Sequence, residues 1–393
     1  LGELDKMHHA KRMDSVLSPA TVKMMNIVSS LRAQGIDIIS FSMGEPDFAT
    51  PKHISEAAAS ALLSGFTHYT PSAGIPELLE AIAEKSKVEN GIQCTPKDIV
   101  VTPAKLAIFA SIISQINDGD EVIIPDPSWV SYEPIVRLAG GVPVLAKTTY
   151  EDEFRLKPET VAKLVTNKTN MLIINSPSNP TGAVMTKEDI KGIADIAKDH
   201  DLIVLSDELY EKIIYDGVEH LSIASLPGMF ERTITVNGFS KGYAMTGWRI
   251  GWLIAPTQIM AEIKKIQEHT ITCAASFVQK GAVAALKGPQ EPVKAMVQRF
   301  NARRDLIVEG LNNIPGFKCL KPHGAFYVFP KFEFKMTSAE FAEFLLKEAH
   351  VAVTPGSSFG PAGEGHLRFS YATSRENIRK GLERIEKAVS KLR

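Results

Sequence analysis

Residues 232–256 read RTITVNGFSKGYAMTGWRIGWLIAP. Two apolar runs flank a stretch, 237–252, of small, apolar and aromatic residues that holds one lysine, Lys241, and one arginine, Arg249. Surface charge is normally scattered among other charges, so two isolated cations here call for a role. Apolar runs of the same kind precede them: DIVVTP (98–103), EVIIPDP (121–127), NMLIINSP (170–177) and DLIVLSDE (201–208). With RTITVNGFSK (232–241) and RIGWLIAP (249–256) they make six candidate strands. Each is continuously apolar, as parallel strands buried on both faces are. Helical patterns such as PAKLAIFASIISQI (103–116) and TKEDIKGIADIAKDH (186–200) lie between them. That alternation predicts a doubly wound α/β sheet.

Further helices are marked by their ends. Pro76 opens PELLEAIAEKSKVEN and Gly91 follows it, the usual proline-first, glycine-last asymmetry. Thr337 and Glu340 have capping-box spacing. Ile378, Leu382, Ile385, Val389 and Leu392 give the last helix one apolar face. We expect a large domain over 49–290, its mostly parallel central sheet flanked by helices. A smaller α+β domain is expected from the two chain ends, 1–48 and 291–393.

The chain has 393 residues with a formal net charge of −1, which offers no global attraction to nucleic acid or acidic membranes. No apolar run approaches the roughly 20 residues of a membrane span. The N-terminal LGELDKMHHAKRMD is polar and unlike a signal peptide. Cys94, Cys273 and Cys319 are far apart and in no CxxC pairing, which suits a reducing compartment. These features predict a cytoplasmic enzyme.

In open α/β sheets ligands bind beyond the carboxyl ends of the strands. Those ends carry Pro103-Ala104-Lys105, Asp126-Pro127-Ser128-Trp129, the run Ser176–Gly182 with Asn179, Asp207-Glu208-Leu209-Tyr210, and Ser240-Lys241. A lysine in apolar surroundings, or beside another cation, is more often a free amine and condenses with aldehydes. A carboxylate can keep a pyridine nitrogen protonated, and a flat aromatic can stack on the ring. A helix N-terminus with an arginine can hold a phosphate. The set suits pyridoxal 5′-phosphate (PLP).

The motifs FSMGEPDF (41–48), HYTPSAGIPEL (68–78), NSPSNPTG (175–182), SDELY (206–210), SKGYAMTGWRIG (240–251) and LRFSYATS (367–374) resemble, in order and over nearly the whole chain, the class I/II aminotransferases of PLP fold type I. The aspartate aminotransferase-like branch is the nearest likeness. The resemblance implies Lys241 as Schiff-base lysine and proton carrier, and Asp207 as partner of the pyridine nitrogen. Tyr210 and Asn179 match the pair bonded to the cofactor's 3′-oxygen, and Trp129 the stacking ring. Ser240 and Arg249 match phosphate contacts, joined by the amides of Ala104 and Lys105. Tyr69 matches a phosphate contact reaching in from the second subunit of a homodimer. Arg368 and Gly44 match contacts to the substrate α-carboxylate. Lys105 matches a lysine that approaches the distal carboxylate, which tilts the expected donor to aspartate and the acceptor to 2-oxoglutarate, in a ping-pong reaction. Relatives often carry glycine where this chain has Pro103, which removes one backbone donor from the phosphate loop.

Other readings stay open at this level. A PLP lyase, or a PLP-binding regulatory protein without turnover, keeps the same pocket. Gly356-Ser357-Ser358-Phe359-Gly360 has the GxSxG form of a serine hydrolase elbow, but only Glu364 and His366 follow closely and no histidine comes later. No Walker A, no GxGxxG after a strand and no HExxH occurs. His8-His9 is a poor metal site, and no metal is expected.

Overall fold

A computed structural model describes residues 10–16, 18 and 20–392; His8 and His9 lie outside the described residues. In chain order the strands are β1 (Ile39–Ser40), β2 (Ile99–Val101), β3 (Glu121–Asp126), β4 (Val142–Lys147), β5 (Thr169–Asn175), β6 (Ile203–Asp207), β7 (Thr233–Gly238) and β8 (Gly251–Ile254). The helices that matter most for the site are α1 (Ala20–Ala33), α2 (Pro76–Asn90), α3 (Ala104–Gln115) and α4 (Tyr132–Leu138).

Strands β2 to β8 form one seven-stranded sheet in the order β2-β8-β7-β6-β5-β3-β4. The neighbours from β7 to β4 are all parallel, and the aliphatic residues of β3, β5 and β7 are buried. The expected mostly parallel sheet is therefore present, with two corrections. Strand β4 was not among the six expected; it is an edge strand with Val142 46% exposed and Pro143 inside it, so it lacks the apolar signature of a central strand. Strand β8 runs antiparallel to both β7 and β2. A strand buried on both faces reads the same in either direction.

The reversal has a consequence for the site. Because β8 is antiparallel, its start lies at the same sheet edge as the end of β7, with Gly238 opposite Gly251. A Cβ on Gly251 would stand 2.8 Å from the Asn237 carbonyl oxygen and 3.3 Å from the Ala104 nitrogen. Only glycine lets β7, β8 and the start of α3 approach this closely.

Residues from both chain ends build a second layer. Strand β1 pairs parallel with β9 (Val351–Ala352). An antiparallel sheet of β10 (Thr354–Pro355), β11 (Leu367–Ser370) and the bridging pair Tyr327–Val328 lies beside it. Helices α5 (Glu291–Asn313), α6 (Ser338–Ala349) and α7 (Arg375–Val389) cover them. Phe41 from the N-terminal segment shares a core with Phe300, Phe341 and Phe369, each fully buried. Local chemistry sets the helix limits as expected. Pro76 is the first residue of α2 and Gly91 ends it in the left-handed region at φ 71°. Thr337 and Glu340 form a reciprocal capping box on α6, and Ile378, Leu382, Ile385 and Val389 bury one face of α7. Among the described residues no helix is long and apolar enough to cross a membrane.

Phe341 packs against Phe317, Phe332 and Phe334 at ring distances of 5.7, 4.7 and 4.9 Å. Phe341→Ala should cost about 3–5 kcal/mol in urea unfolding. None of these four rings lines the cavity that holds Lys241, so ligand binding there should be unchanged below the unfolding transition.

Candidate active site

The carboxyl edge of the sheet opens into a cavity of about 360 Å³, within the range of small-molecule sites. Its walls include Lys241, Asp207, Tyr210, Asn179, Trp129, Ala104, Lys105, Ser240, Arg249, Arg368 and Gly44. Of the residues singled out in the sequence, Tyr69 alone stands apart: it is 87% exposed on the loop before α2.

Lys241 follows β7 in a turn, and its Nζ donates to the Gly44 carbonyl at 2.5 Å. Burial pushes its pKa down to about 8; Glu45 opposes this, and Arg368 and Arg249 add to it. The side chain therefore gives up its proton far more readily than a surface lysine. Asp207 ends β6. Burial pushes its pKa up to about 6, while the Tyr132 hydroxyl, donating to Oδ2 at 2.6 Å, and the Leu209 N–H, donating to Oδ1 at 3.2 Å, pull it back. At neutral pH this carboxyl is mainly ionised, although deeply buried.

Arg368, on β11, is 2% exposed. Its guanidinium donates to Asn179 Oδ1 at 3.0 Å and to the Ser42 carbonyl at 2.7 Å, and stacks on Tyr327 and Phe359 at 4.7 and 4.9 Å. Its Nε has no hydrogen-bond partner, and among the described residues no carboxylate pairs with it. Burial without an anion lowers its pKa. A buried, unpaired guanidinium is costly, and an incoming carboxylate relieves that cost. A Cβ on Gly44 would lie 3.2 Å from the Tyr327 hydroxyl, so this position is a close approach and not merely a turn.

The cavity wall also collects donors. Pro103 is the N-cap of α3, outside the helix, so the first helical N–H groups are those of Ala104 and Lys105. Pro103 itself still offers no N–H, so this loop keeps one backbone donor fewer than a glycine there would give. Ser240 is buried. Arg249, held at φ 55°, donates to the Thr246 carbonyl at 2.8 Å and has no carboxylate partner among the described residues. Lys105 Nζ lies 5.0 Å from the Trp129 ring centre, and burial, with Arg249 beside it, lowers its pKa.

Four residues not assigned a role from the sequence complete the geometry. Tyr132 holds Asp207. Asn175 donates to the Asp207 carbonyl at 3.0 Å and accepts from the Asn179 N–H at 2.9 Å. The Tyr327 hydroxyl lies 2.8 Å from that of Tyr210. Glu45 accepts from Thr246 at 2.7 Å. Tyr132 is the first residue of α4, and nothing in the sequence ties it to Asp207, 75 residues away. The donor set fits PLP: an amine of low proton affinity for an aldehyde, a buried carboxylate for a ring nitrogen, and amides, a hydroxyl and an unpaired guanidinium for a phosphate.

Ser358 does not form a hydrolase site. It lies in a short 3-10 turn after β10 rather than at a strand-to-helix elbow, and His366, the histidine that follows it in the sequence, stacks on Phe329 and bonds the Glu364 carbonyl.

The family model for aminotransferase class I and II matches residues 36–385. The chain is 49% identical to the aspartate aminotransferase of Pyrococcus abyssi over 98% of each protein. It is also 49% identical to aromatic-amino-acid aminotransferase 2 of Thermococcus litoralis, over 91% of this chain and 93% of that one. The structure of Thermus thermophilus aspartate aminotransferase with maleate superposes with a TM-score of 0.93 at 42% identity, covering 98% of this chain and all (100%) of the other.

The lowered proton affinity of Lys241 can be read directly. In the ligand-free protein, the rate at which a small amine-acylating reagent modifies Lys241 should climb with pH to about 8 and then level off. The rate at exposed lysines should keep rising to about pH 10. Peptide mass analysis along a pH series measures both.

Proposed function

This chain belongs to the class I and II aminotransferases, PLP-dependent enzymes whose substrates are amino acids and 2-oxo acids, and we propose that it moves the amino group of aspartate to 2-oxoglutarate. The observation that carries the reading is a single cavity joining an amine of low proton affinity, Lys241, to a buried guanidinium without an anion, Arg368. Lys105, set at the cavity wall without a carboxylate partner among the described residues, supports an acidic side chain on the donor. We further propose residues 49–290 as the cofactor-binding part and 1–48 with 291–393 as the second part. We also propose a cytoplasmic location and a homodimer; the exposure of Tyr69 supports the dimer, in which its ring reaches the partner's cavity.

Bound PLP supplies an aldehyde that bonds amines and a ring that withdraws electrons from the substrate Cα. The chain's residues do the rest. Arg368 binds the α-carboxylate in two-pronged fashion, and Asn179, bonded to the same guanidinium, keeps its plane fixed. Asp207 keeps a negative charge where a ring nitrogen would carry its proton, and Tyr132 holds that carboxylate in place. Ser240, Arg249 and the amides of Ala104 and Lys105 would hold the phosphate. Lys241 Nζ, once released, takes the proton from Cα. Its pKa near 8 makes it a usable base at neutral pH and a competent acid afterwards. The first product leaves before the second substrate binds, so one cavity serves both half-reactions.

Lys241→Ala should abolish measurable aminotransfer, lowering the rate by about two to four orders of magnitude, while the protein still folds. Arg368→Ala should raise the KM for aspartate about tenfold to a hundredfold, as expected for lost charged hydrogen bonds. Lys105→Ala should lower kcat/KM for aspartate more than for alanine. Steady-state assays with 2-oxoglutarate as acceptor measure all three. Full activity of Lys241→Ala contradicts the reading, and pyruvate release from β-substituted amino acids without an acceptor would replace it with a lyase.

A further inference from the structure

Behind the cavity wall lies a second group of charged side chains that the mechanism above does not use. Successive side chains of a strand point to opposite faces, so Asp207 faces the cavity while Ser206 and Glu208 face away from it. Glu208 is 1% exposed. Its Oε1 accepts from Ser206 at 2.9 Å and from Ser222 at 2.7 Å, and its Oε2 lies 2.9 Å from His220 Nε2. Burial disfavours a proton on His220, but the charges of Glu208 and Glu211 outweigh it and raise the pKa of the ring. Lys85, on α2, opposes them and is itself bonded to Glu211 and Asn90.

Glu208, Glu211 and His220 are close enough together to suggest a metal site. The Lys85 ammonium, bonded to Glu211, already supplies the cation there. The group makes better sense as a clamp. The Glu208 N–H donates to the Val236 carbonyl at 2.9 Å and Asn175 donates to the Asp207 carbonyl at 3.0 Å. The peptide between Asp207 and Glu208 is thus tied within the sheet, and its two side chains are anchored on opposite faces.

We propose that His220 is a positioning residue: by bonding Glu208 on the far face of β6, it fixes the peptide that carries Asp207 and so aims that carboxylate into the cavity. The proposal rests on the reading of Asp207 as partner of the cofactor ring. A site of this kind tolerates only about 0.5 Å of misplacement, and Asp207 has no hydrogen-bond donor on its own face besides Tyr132 and the Leu209 N–H among the described residues. Removing one of three donors from a buried carboxylate frees it to turn and seek others.

The test compares the wild-type holoenzyme with His220→Ala and His220→Gln. The readouts are the PLP dissociation constant by equilibrium dialysis and the visible circular dichroism of bound PLP, which reports how the ring is held. His220→Ala should bind PLP about tenfold more weakly, as for one lost bond to a buried charge, and its dichroic band should change in intensity. His220→Gln, whose amide can donate to Glu208 from a similar place, should come within about threefold of wild type. Binding within twofold of wild type and an unaltered band in His220→Ala, whatever its melting temperature, would overturn the proposal. Should His220→Ala fail to fold, Ser222→Ala removes another donor from the same carboxylate, and the same two readouts decide. If the wild type itself binds no PLP, the proposed function fails, not this inference alone.

Discussion

The antiparallel pairing of β7 with β8, with Gly238 set opposite Gly251, is the constraint on which the site depends. A parallel β8 would carry Arg249 to the far edge of the sheet, some 15–20 Å from Lys241 at about 3.3 Å per residue. The reversed strand instead returns the chain to the edge it has just left. Lys241 and Arg249 then face one cavity although seven residues separate them. Gly251 also lets the start of α3 close on the pair, so its first amides enter the same wall. The two lone cations between the apolar runs are the two ends of this turn.

Charge balance explains why such a wall is stable yet receptive. Lys105, Lys241, Arg249 and Arg368 line the cavity against Glu45 and Asp207. A buried positive charge without a counter-ion opposes folding, and at Arg368, 2% exposed, hydrogen bonds to neutral acceptors and aromatic faces temper it. Arg368 leans on Asn179, the Ser42 carbonyl, Tyr327 and Phe359. None of these supplies an anion. A phosphate and a carboxylate would, so the excess of positive charge favours the ligands the site would take.

Much of this was legible in the sequence, because strand ends, caps and polar residues follow local rules. The six central runs, the Pro76 and Gly91 limits of α2 and the Thr337 capping box needed no tertiary information. Strand β4 escaped notice because an edge strand with an exposed Val142 and an internal proline has no buried signature. The direction of β8 escaped because burial on both faces carries no polarity. Site residues at strand ends could be found because each stands within a few positions of the close of an apolar run. Tyr132 and Tyr327 could not, since each acts through a neighbour distant in sequence: Asp207 lies 75 residues from Tyr132, and Tyr210 lies 117 from Tyr327. Tyr69 was named from motif likeness, and a single chain gives its exposed ring nothing to touch.

The central claim is that this cavity holds PLP and passes an amino group through it. The most direct measurement is the visible absorption spectrum of the purified protein, saturated with PLP, before and after aspartate is added without an oxo acid. The account predicts a yellow band that bleaches to the spectrum of pyridoxamine phosphate and returns when 2-oxoglutarate is supplied. A protein that takes up no PLP, or a bound band that neither aspartate nor any other amino acid bleaches, would contradict it.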